Sequence, residues 1–247
     1  MSESISCLMP DWPAPAGVRA LVTTRGGGVS EPPCASLNLG AGTADRREYV
    51  AENRRRLRVA LALPEEPRWL RQVHGTGIVA AEQVSRDVTE ADAVWTACPG
   101  IVCAVLTADC LPIFLCAGDG RRVALIHAGW RGLAAGVIEA AYGALGAPGE
   151  RLMAWLGPAI GARAFEVGDE VRTAFVAADP GLGGAFRATE QGLWLTDLYC
   201  LARRRLERCG VGRVYGGGFC TVTDSRRFFS YRRDGRTGRM ASLLWLT

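Results

Sequence analysis

The chain has 247 residues, of which 49% are hydrophobic and 22% charged, with a formal net charge of +4. These proportions suit a globular protein with a sizeable core, and the charge is too small to argue for nucleic-acid binding by itself. All 29 basic residues are arginine, and the absence of lysine excludes Schiff-base and pyridoxal-type chemistry and the phosphate-loop ATPases, whose motifs require that side chain.

No apolar run approaches the length of about 20 residues needed to cross a bilayer. Met1 to Pro15 lacks the basic start and apolar stretch of a signal peptide, so the expectation is a cytoplasmic protein without membrane contact. The nine cysteines are odd in number and never spaced C-x-x-C, which indicates neither a disulfide framework nor a zinc ribbon. Cys98, Cys103, Cys116, Cys200 and Cys209 fall in apolar or helical stretches and read as small buried thiols.

In chain order, Arg19 to Thr24 reads as a strand ended by Arg25-Gly26-Gly27-Gly28. Those glycines beside a guanidinium offer an anion cradle, or simply a loop with unusual backbone angles. Ser36 to Gly40 is turn-rich. Asp45 and Glu48 have capping-box spacing at the start of a helix to about Leu61, with Tyr49, Asn53, Leu57, Ala60 and Leu61 on one face. Trp69 to Val73 and Ile78 to Glu82 read as strands around a His74-Gly75-Thr76-Gly77 turn.

Ile101 to Thr107, Ile113 to Cys116 and Arg122 to His127 read as strands, with a hairpin signal at Gly118-Asp119-Gly120 between the last two. A helix from about Gly132 to Leu145 follows. Further helices are expected from Val167 to Ala178 and from near Thr196 to Gly210. The last segment alternates the glycine-rich Tyr215-Gly216-Gly217-Gly218 turn with strands at Val214 to Tyr215, Phe228 to Arg232 and Met240 to Leu246. Strands and helices mix without strict alternation. The expected fold class is therefore α/β, a single domain over residues 1–247 of mixed sheets layered with helices, not a barrel.

The histidine total is two, and both sit at turns. His74 lies in Gln72-Val73-His74-Gly75 and His127 in His127-Ala128-Gly129-Trp130-Arg131-Gly132. Between them, Thr107-Ala108-Asp109-Cys110 presents a cysteine at a strand end. Two imidazoles and a thiolate form a suitable set of three ligands for a catalytic zinc with an open fourth position. The same residues also fit a thiol hydrolase, with Cys110 as nucleophile, either histidine as base, and Asp109 or another acid as orienter. A multicopper oxidase requires more imidazole donors than two, so copper is not expected. The arginines at 54–56 and 203–205 read as solvated helix faces. Those at 226–227 and 232–239 lie among Phe228, Phe229 and Tyr231, a mix able to stack bases, though without a basic excess no nucleic-acid partner is expected.

These motifs are shared with a known family. The chain resembles the laccase-domain family, also described as YfiH-like or multicopper-polyphenol-oxidase-like proteins and regarded as purine nucleoside phosphorylases. The resemblance runs through Thr24 to Ser30, Leu37 to Gly40, Asn53-Arg54 and Gln72 to Gly75. It continues through Thr107 to Ile113, His127 to Gly132, Gly157 to Gly161, Phe165 to Gly168, Phe228 to Arg233 and Thr237 to Ala241. It implies a YfiH-like or CNF-like cysteine hydrolase fold and one zinc held by His74, Cys110 and His127. It also implies phosphorolysis of adenosine, inosine, guanosine and methylthioadenosine, together with adenosine deamination. Purine nucleosides and phosphate are the implied partners, and the chain is expected as a monomer or homodimer. In this reading Arg25 with its glycines is the candidate phosphate residue, Asn38, Gln72 and Arg131 are candidate substrate contacts, and Asp109 is a candidate proton shuttle. The alternatives are a Cys-His hydrolase that edits peptidoglycan precursors and a polyphenol oxidase. The standard deaminase signature, H-x-E with P-C-x-x-C, is absent.

Overall fold

Alternation along the apolar segments builds two sheets that share a core. The computed structural model describes residues 4–85 and 88–247. Its strands are β1 (Cys7–Leu8), β2 (Val18–Thr23), β3 (Ile78–Ala80), β4 (Ala93–Thr96), β5 (Cys103–Thr107), β6 (Leu111–Ala117), β7 (Val123–Ala128), β8 (Leu152–Leu156), β9 (Glu166–Val167), β10 (Phe186–Ala188), β11 (Trp194–Thr196), β12 (Arg213–Gly216) and β13 (Met240–Leu246). The helices are α1 (Arg47–Ala60), α2 (Trp130–Ala135), α3 (Val137–Leu145), α4 (Asp169–Val176), α5 (Leu198–Arg208) and α6 (Tyr231–Asp234).

One sheet runs β1-β2-β13-β5, a larger one runs β12-β8-β6-β7-β4-β3, and β10-β11-β9 form a small third. In the large sheet β12 pairs with β8 and β3 with β4 in parallel, and its other pairs are antiparallel. This is the expected mixed sheet.

Period two sorts the side chains between faces. Leu111, Ile113 and Leu115 of β6 and Ala124, Ile126 and Ala128 of β7 pack against Leu133, Val137, Ile138 and Ala141 of the helical layer. The alternate residues Phe114, Cys116, Val123 and Leu125 face Val22, Val105 and Leu244 of the other sheet. That second sheet turns Leu21, Ala104 and Leu243 outward onto Leu37, Leu39, Leu57 and Trp69. The result is a stack of α1 with its loops, sheet, sheet, and the α2–α5 helices. Each fully buried Leu, Ile or Phe contributes about 1.5–3 kcal/mol.

Several expected elements differ. The helix expected from Gly132 to Leu145 is two helices, because Gly136 takes φ 102° between them, a conformation open to glycine. Asp45 does not cap α1. Its carboxylate accepts from Ser30 Oγ at 2.6 Å and Asn38 Nδ2 at 2.9 Å, and the helix starts at Arg47 without a side-chain cap. Trp69 to Val73 is not a regular strand: it holds one isolated bridge, at Arg71, with another just before it at Arg68. The Gln72 side chain there stands in for a strand, donating to Leu106 O at 2.8 Å and accepting from Leu106 N at 2.7 Å. Phe228 and Phe229 are fully buried but irregular, and Ser230 caps α6 directly after them. Strands β1, β4, β8, β9, β10 and β11 lie outside the expected ones. Cys103 and Cys116 are buried as expected, whereas Cys98 and Cys200 are exposed. No helix among the described residues is long and apolar enough to cross a membrane.

Phe114 is fully buried between the sheets, its ring edge-on to Trp155 at 5.3 Å. Phe114→Ala is expected to cost about 3–5 kcal/mol, read as a lower denaturant midpoint with an unchanged slope. A loss below 1 kcal/mol would contradict this packing.

Candidate metal centre

The register of the large sheet brings the chemistry together. Leu111 pairs with Ala128 and Pro112 with His127, so the residue before β6, Cys110, lies beside the end of β7. On the other side of β7, Ala93 of β4 pairs with Ile126. Asp92, just before β4, therefore comes level with His127. His127 shares the alternating face of Val123 and Leu125, so its ring points between the sheets at their edge.

Asp92 is completely buried. Its Oδ1 accepts from His127 Nδ1 at 2.7 Å and from His74 N at 2.9 Å. Its Oδ2 accepts from Val73 N at 3.2 Å and Gly75 N at 2.7 Å. One carboxylate thus fixes the His127 tautomer, leaving Nε2 for the centre, and also folds the turn that carries His74. That turn holds His74 at φ 61°, and Asp109 sits at φ 92°. Non-glycine residues rarely adopt such angles, and they persist where surroundings over-determine them.

The donor atoms of His74, Cys110 and His127 all lie within 4.8 Å of one another. Cys110 Sγ is 3.8 Å from His74 Nε2, and the two imidazoles meet edge-on with centroids 4.8 Å apart. A small ion bound tetrahedrally spaces such donors by about 3.3–3.6 Å. The residues therefore fit one metal ion. Close packing of glycines permits the approach. A Cβ on Gly129 would stand 2.7 Å from His74 Cδ2 and 3.1 Å from Cys110 Sγ, and one on Gly132 would stand 2.7 Å from Gly75 O.

Electrostatics favour a ligating thiolate. Burial pushes the Cys110 thiol up, but the His127 imidazolium and hydrogen bonds from both histidines override it and bring it down to about 6. Burial likewise lowers His127, and the Cys110 thiolate with the Asp92 carboxylate more than reverses it, raising the imidazole to about 9.

The centre opens into a cavity of about 710 Å³ whose walls include Gln72, Asp109, Trp130, Arg131, Ile160, Phe165 and Tyr231. Six of the expected site residues therefore meet: His74, Cys110, His127, Asp109, Gln72 and Arg131. Asp109 is already committed. Its Oδ1 accepts from Thr221 Oγ1 at 2.5 Å and its Oδ2 from Arg232 N at 2.6 Å.

Arg25 and Asn38 are not among the lining residues. Arg25 donates from Nε and Nη2 to Ala35 O and from Nη1 to Ser225 O, and it stacks over Phe229. Its glycines serve conformation: Gly27 has φ 94°, and a Cβ on Gly28 would strike Ser36 O. Asn38 is buried and bonded to Gly40 N, Thr43 Oγ1, Asp45 and Arg239 N. The arginine clusters also differ from expectation. Arg205 is buried and paired with Glu139, Arg203 donates to Val214 O and Gly216 O, and Arg54 lines the cavity. The burial of Phe228 and Phe229 removes them as a base-stacking surface.

Sequence reasoning missed Asp92. It stands in the polar Glu90-Ala91-Asp92 run before an unanticipated strand, and only the pairing of that strand with β7 brings it to His127. It is the acid that the thiol-hydrolase reading left open.

The chain is similar to known proteins along most of its length. A family model described as multi-copper polyphenol oxidoreductase laccase matches residues 19–247. A Pseudomonas aeruginosa protein named purine nucleoside phosphorylase PA4543 is 58% identical over 240 residues, 97% of this chain and 98% of that one. Escherichia coli purine nucleoside phosphorylase YfiH is 51% identical over 239 residues, with 97% and 98% covered. Among solved structures, Neisseria meningitidis protein NMB0706 superposes with a TM-score of 0.94 at 49% identity, covering 97% of this chain and 98% of that one.

Two outcomes test the centre. In metal-free protein, alkylation of Cys110 by iodoacetamide, followed by peptide mass spectrometry, should rise with pH around a midpoint near 6. The sign follows from the thiolate being the reactive form, stable above that pH because of the imidazolium. Asp92→Asn weakens the imidazolium and should move the midpoint upward. Gly129→Ala should leave a folded protein with at least a tenfold loss of bound metal by elemental analysis. Full metal content in that variant would mean the three side chains are not the ligands.

Proposed function

The chain belongs to the multi-copper polyphenol oxidoreductase laccase family, and we propose that it is a zinc-dependent purine nucleoside phosphorylase. The observation that carries the reading is the His74–Cys110–His127 cluster at the floor of a cavity with both apolar and cationic walls. Relatives of more than half identity carry the phosphorylase name, and that supports the reaction class for this chain. The proposed substrates are adenosine, inosine, guanosine and methylthioadenosine, each with phosphate.

In phosphorolysis an oxygen of phosphate forms a bond to the ribose anomeric carbon. The bond from that carbon to the purine nitrogen breaks, and the purine leaves with the electron pair and takes up a proton. The chain must hold the purine, orient phosphate and exclude bulk water. Trp130, Ile160 and Phe165 supply apolar surface for the flat base and Arg131 supplies a polar contact at the wall, while Gln72 holds that wall through both its hydrogen bonds to Leu106. His74, Cys110 and His127 would hold the ion, and Asp92 keeps His127 oriented behind them. When bound, zinc in such a set supplies Lewis acidity and can lower the pKa of a bound water to about 7. Asp109 enters as a positioning residue, since both its oxygens accept hydrogen bonds from the chain. Adenosine deamination, which the family resemblance also implies, would draw on the same three residues.

A second reading is favoured by one observation. Cys110, His127 and Asp92 are linked as a nucleophile, base and orienter, with 2.7 Å between His127 Nδ1 and Asp92 Oδ1, the arrangement of a thiol hydrolase.

Incubation of the purified protein with adenosine and phosphate should release adenine and ribose 1-phosphate. Cys110→Ala and His74→Ala should each reduce the rate more than 100-fold, and prior chelation should abolish it until zinc is restored. Hydrolysis that survives chelation but is lost to alkylation would favour the thiol reading and reject the phosphorylase.

A further inference from the structure

We propose that Arg239 anchors an anion subsite beside the metal centre and that its ligand is inorganic phosphate, an assignment that rests on the phosphorylase reading.

Of the guanidinium groups, those of Arg54, Arg71, Arg131, Arg232 and Arg239 line the cavity. Three of the other four already have polar partners, and the fourth is solvent-exposed. Arg71 pairs with Glu90. Arg54 lies over Trp69 and donates Nε to Leu39 O. Arg232 donates to Glu166 O at 2.9 Å and lies over Phe165. Arg131 is exposed and lies over Trp130. Arg239 is different. Its Nη1 donates to Thr237 O and Gly238 O, both at 3.0 Å. Among the described residues no acceptor meets its Nε or Nη2, and no carboxylate lies within ion-pair distance.

The unfilled Nε and Nη2 form the edge of the guanidinium that binds two oxygens of a phosphate at once. A partly buried cation without a counterion is costly, and an anionic ligand removes that cost. Burial lowers the Arg239 pKa below its ordinary value, while the charges of Cys110 and Asp109 act to raise it. Those two effects place the group in a poorly solvated spot within electrostatic reach of the metal ligands.

Arg239 is also held in place by the chain. Asn38 Oδ1 accepts from Arg239 N at 2.9 Å and from Gly40 N at 3.0 Å, and Leu39 N donates to Arg239 O at 3.2 Å. A Cβ on Gly40 would stand 2.7 Å from Arg239 Cγ, so glycine is what lets the side chain pass. Asn38 Nδ2 donates to Thr43 Oγ1 at 2.8 Å, fixing the Gly40–Thr43 turn that lines the same cavity. Asn38, expected as a substrate contact, is thus a positioning residue for Arg239.

The test is titration of zinc-loaded protein with inorganic phosphate by calorimetry, with inosine titrated in parallel and zinc measured in every sample. Arg239→Gln should weaken phosphate binding at least tenfold while inosine affinity and zinc content stay within twofold. Arg239→Lys keeps the charge without the paired donors and should fall between. Should Arg239→Gln fail to fold, Gly40→Ala supplies a second variant, expected to weaken phosphate several-fold by displacing the guanidinium. Unchanged phosphate affinity in a folded variant, or no phosphate binding to the parent protein, overturns the assignment. Phosphate binding that depends on Arg239 in a protein without phosphorolysis upholds the subsite and rejects the phosphorylase reading.

Discussion

A carboxylate with no exposed surface stands behind the centre. An ionised group taken wholly out of water costs several kcal/mol unless its oxygens are satisfied. Asp92 meets that requirement with three successive backbone N–H groups and one imidazole. The same four bonds join pieces of chain that are far apart in sequence. They close the turn that bears His74, hold that residue at a positive φ, and set the ring of His127. Burial raises the Asp92 carboxyl, but its hydrogen bonds from His127, Gly75 and Val73 hold it below the usual carboxylate range, so it remains an acceptor for His127 Nδ1 and leaves Nε2 of that ring facing the centre.

The sheet supplies the other half of the geometry. An antiparallel pair places the start of one strand opposite the end of its neighbour, and here that brings Cys110 and His127 together without any loop having to reach. His74, the third member of the cluster, arrives from outside the sheet on a turn pinned by Asp92. Two members of the cluster are therefore set by strand register and one by a hydrogen-bonded loop, and the tolerances differ. The glycines at 129 and 132 leave no room for a side chain: a methyl group on Gly129 would press on both His74 and Cys110, and one on Gly132 would strike the turn at Gly75 O.

The fold was legible where the chain alternates cleanly or ends on strong punctuation. Strands β2, β5, β6, β7 and β13 and the helices α1, α4 and α5 were all visible as patterns. Strand β8 is a five-residue run, Leu152–Leu156, too short for periodicity to separate it from a helix fragment. Gln72 mimics a ladder with its side-chain amide, and Phe228 and Phe229 are buried without belonging to a strand, so apolar content overstated β structure at both places. The three residues of the metal-capable cluster were legible because histidine is so scarce in this chain. Asp92 was not, since its role depends on a pairing between strands that no local pattern announces.

Arginine explains the remaining misreadings. In a chain without lysine, the guanidinium serves structure as often as charge, because its planar fork can bridge several backbone carbonyls at once. Arg233 joins Thr221 O and Val222 O to Phe228 O, and through Thr221 this clamp reaches Asp109 at the cavity wall. Arg25 does the same between Ala35 and Ser225. A glycine-flanked arginine thus looks alike in sequence whether it cradles an anion or ties two loops. The distinguishing property is the count of donors left unfilled after the backbone has taken its share. By that measure Arg25 has its paired Nε and Nη2 edge taken by Ala35 O, and Arg239, unremarkable in the linear motif, retains that edge unfilled.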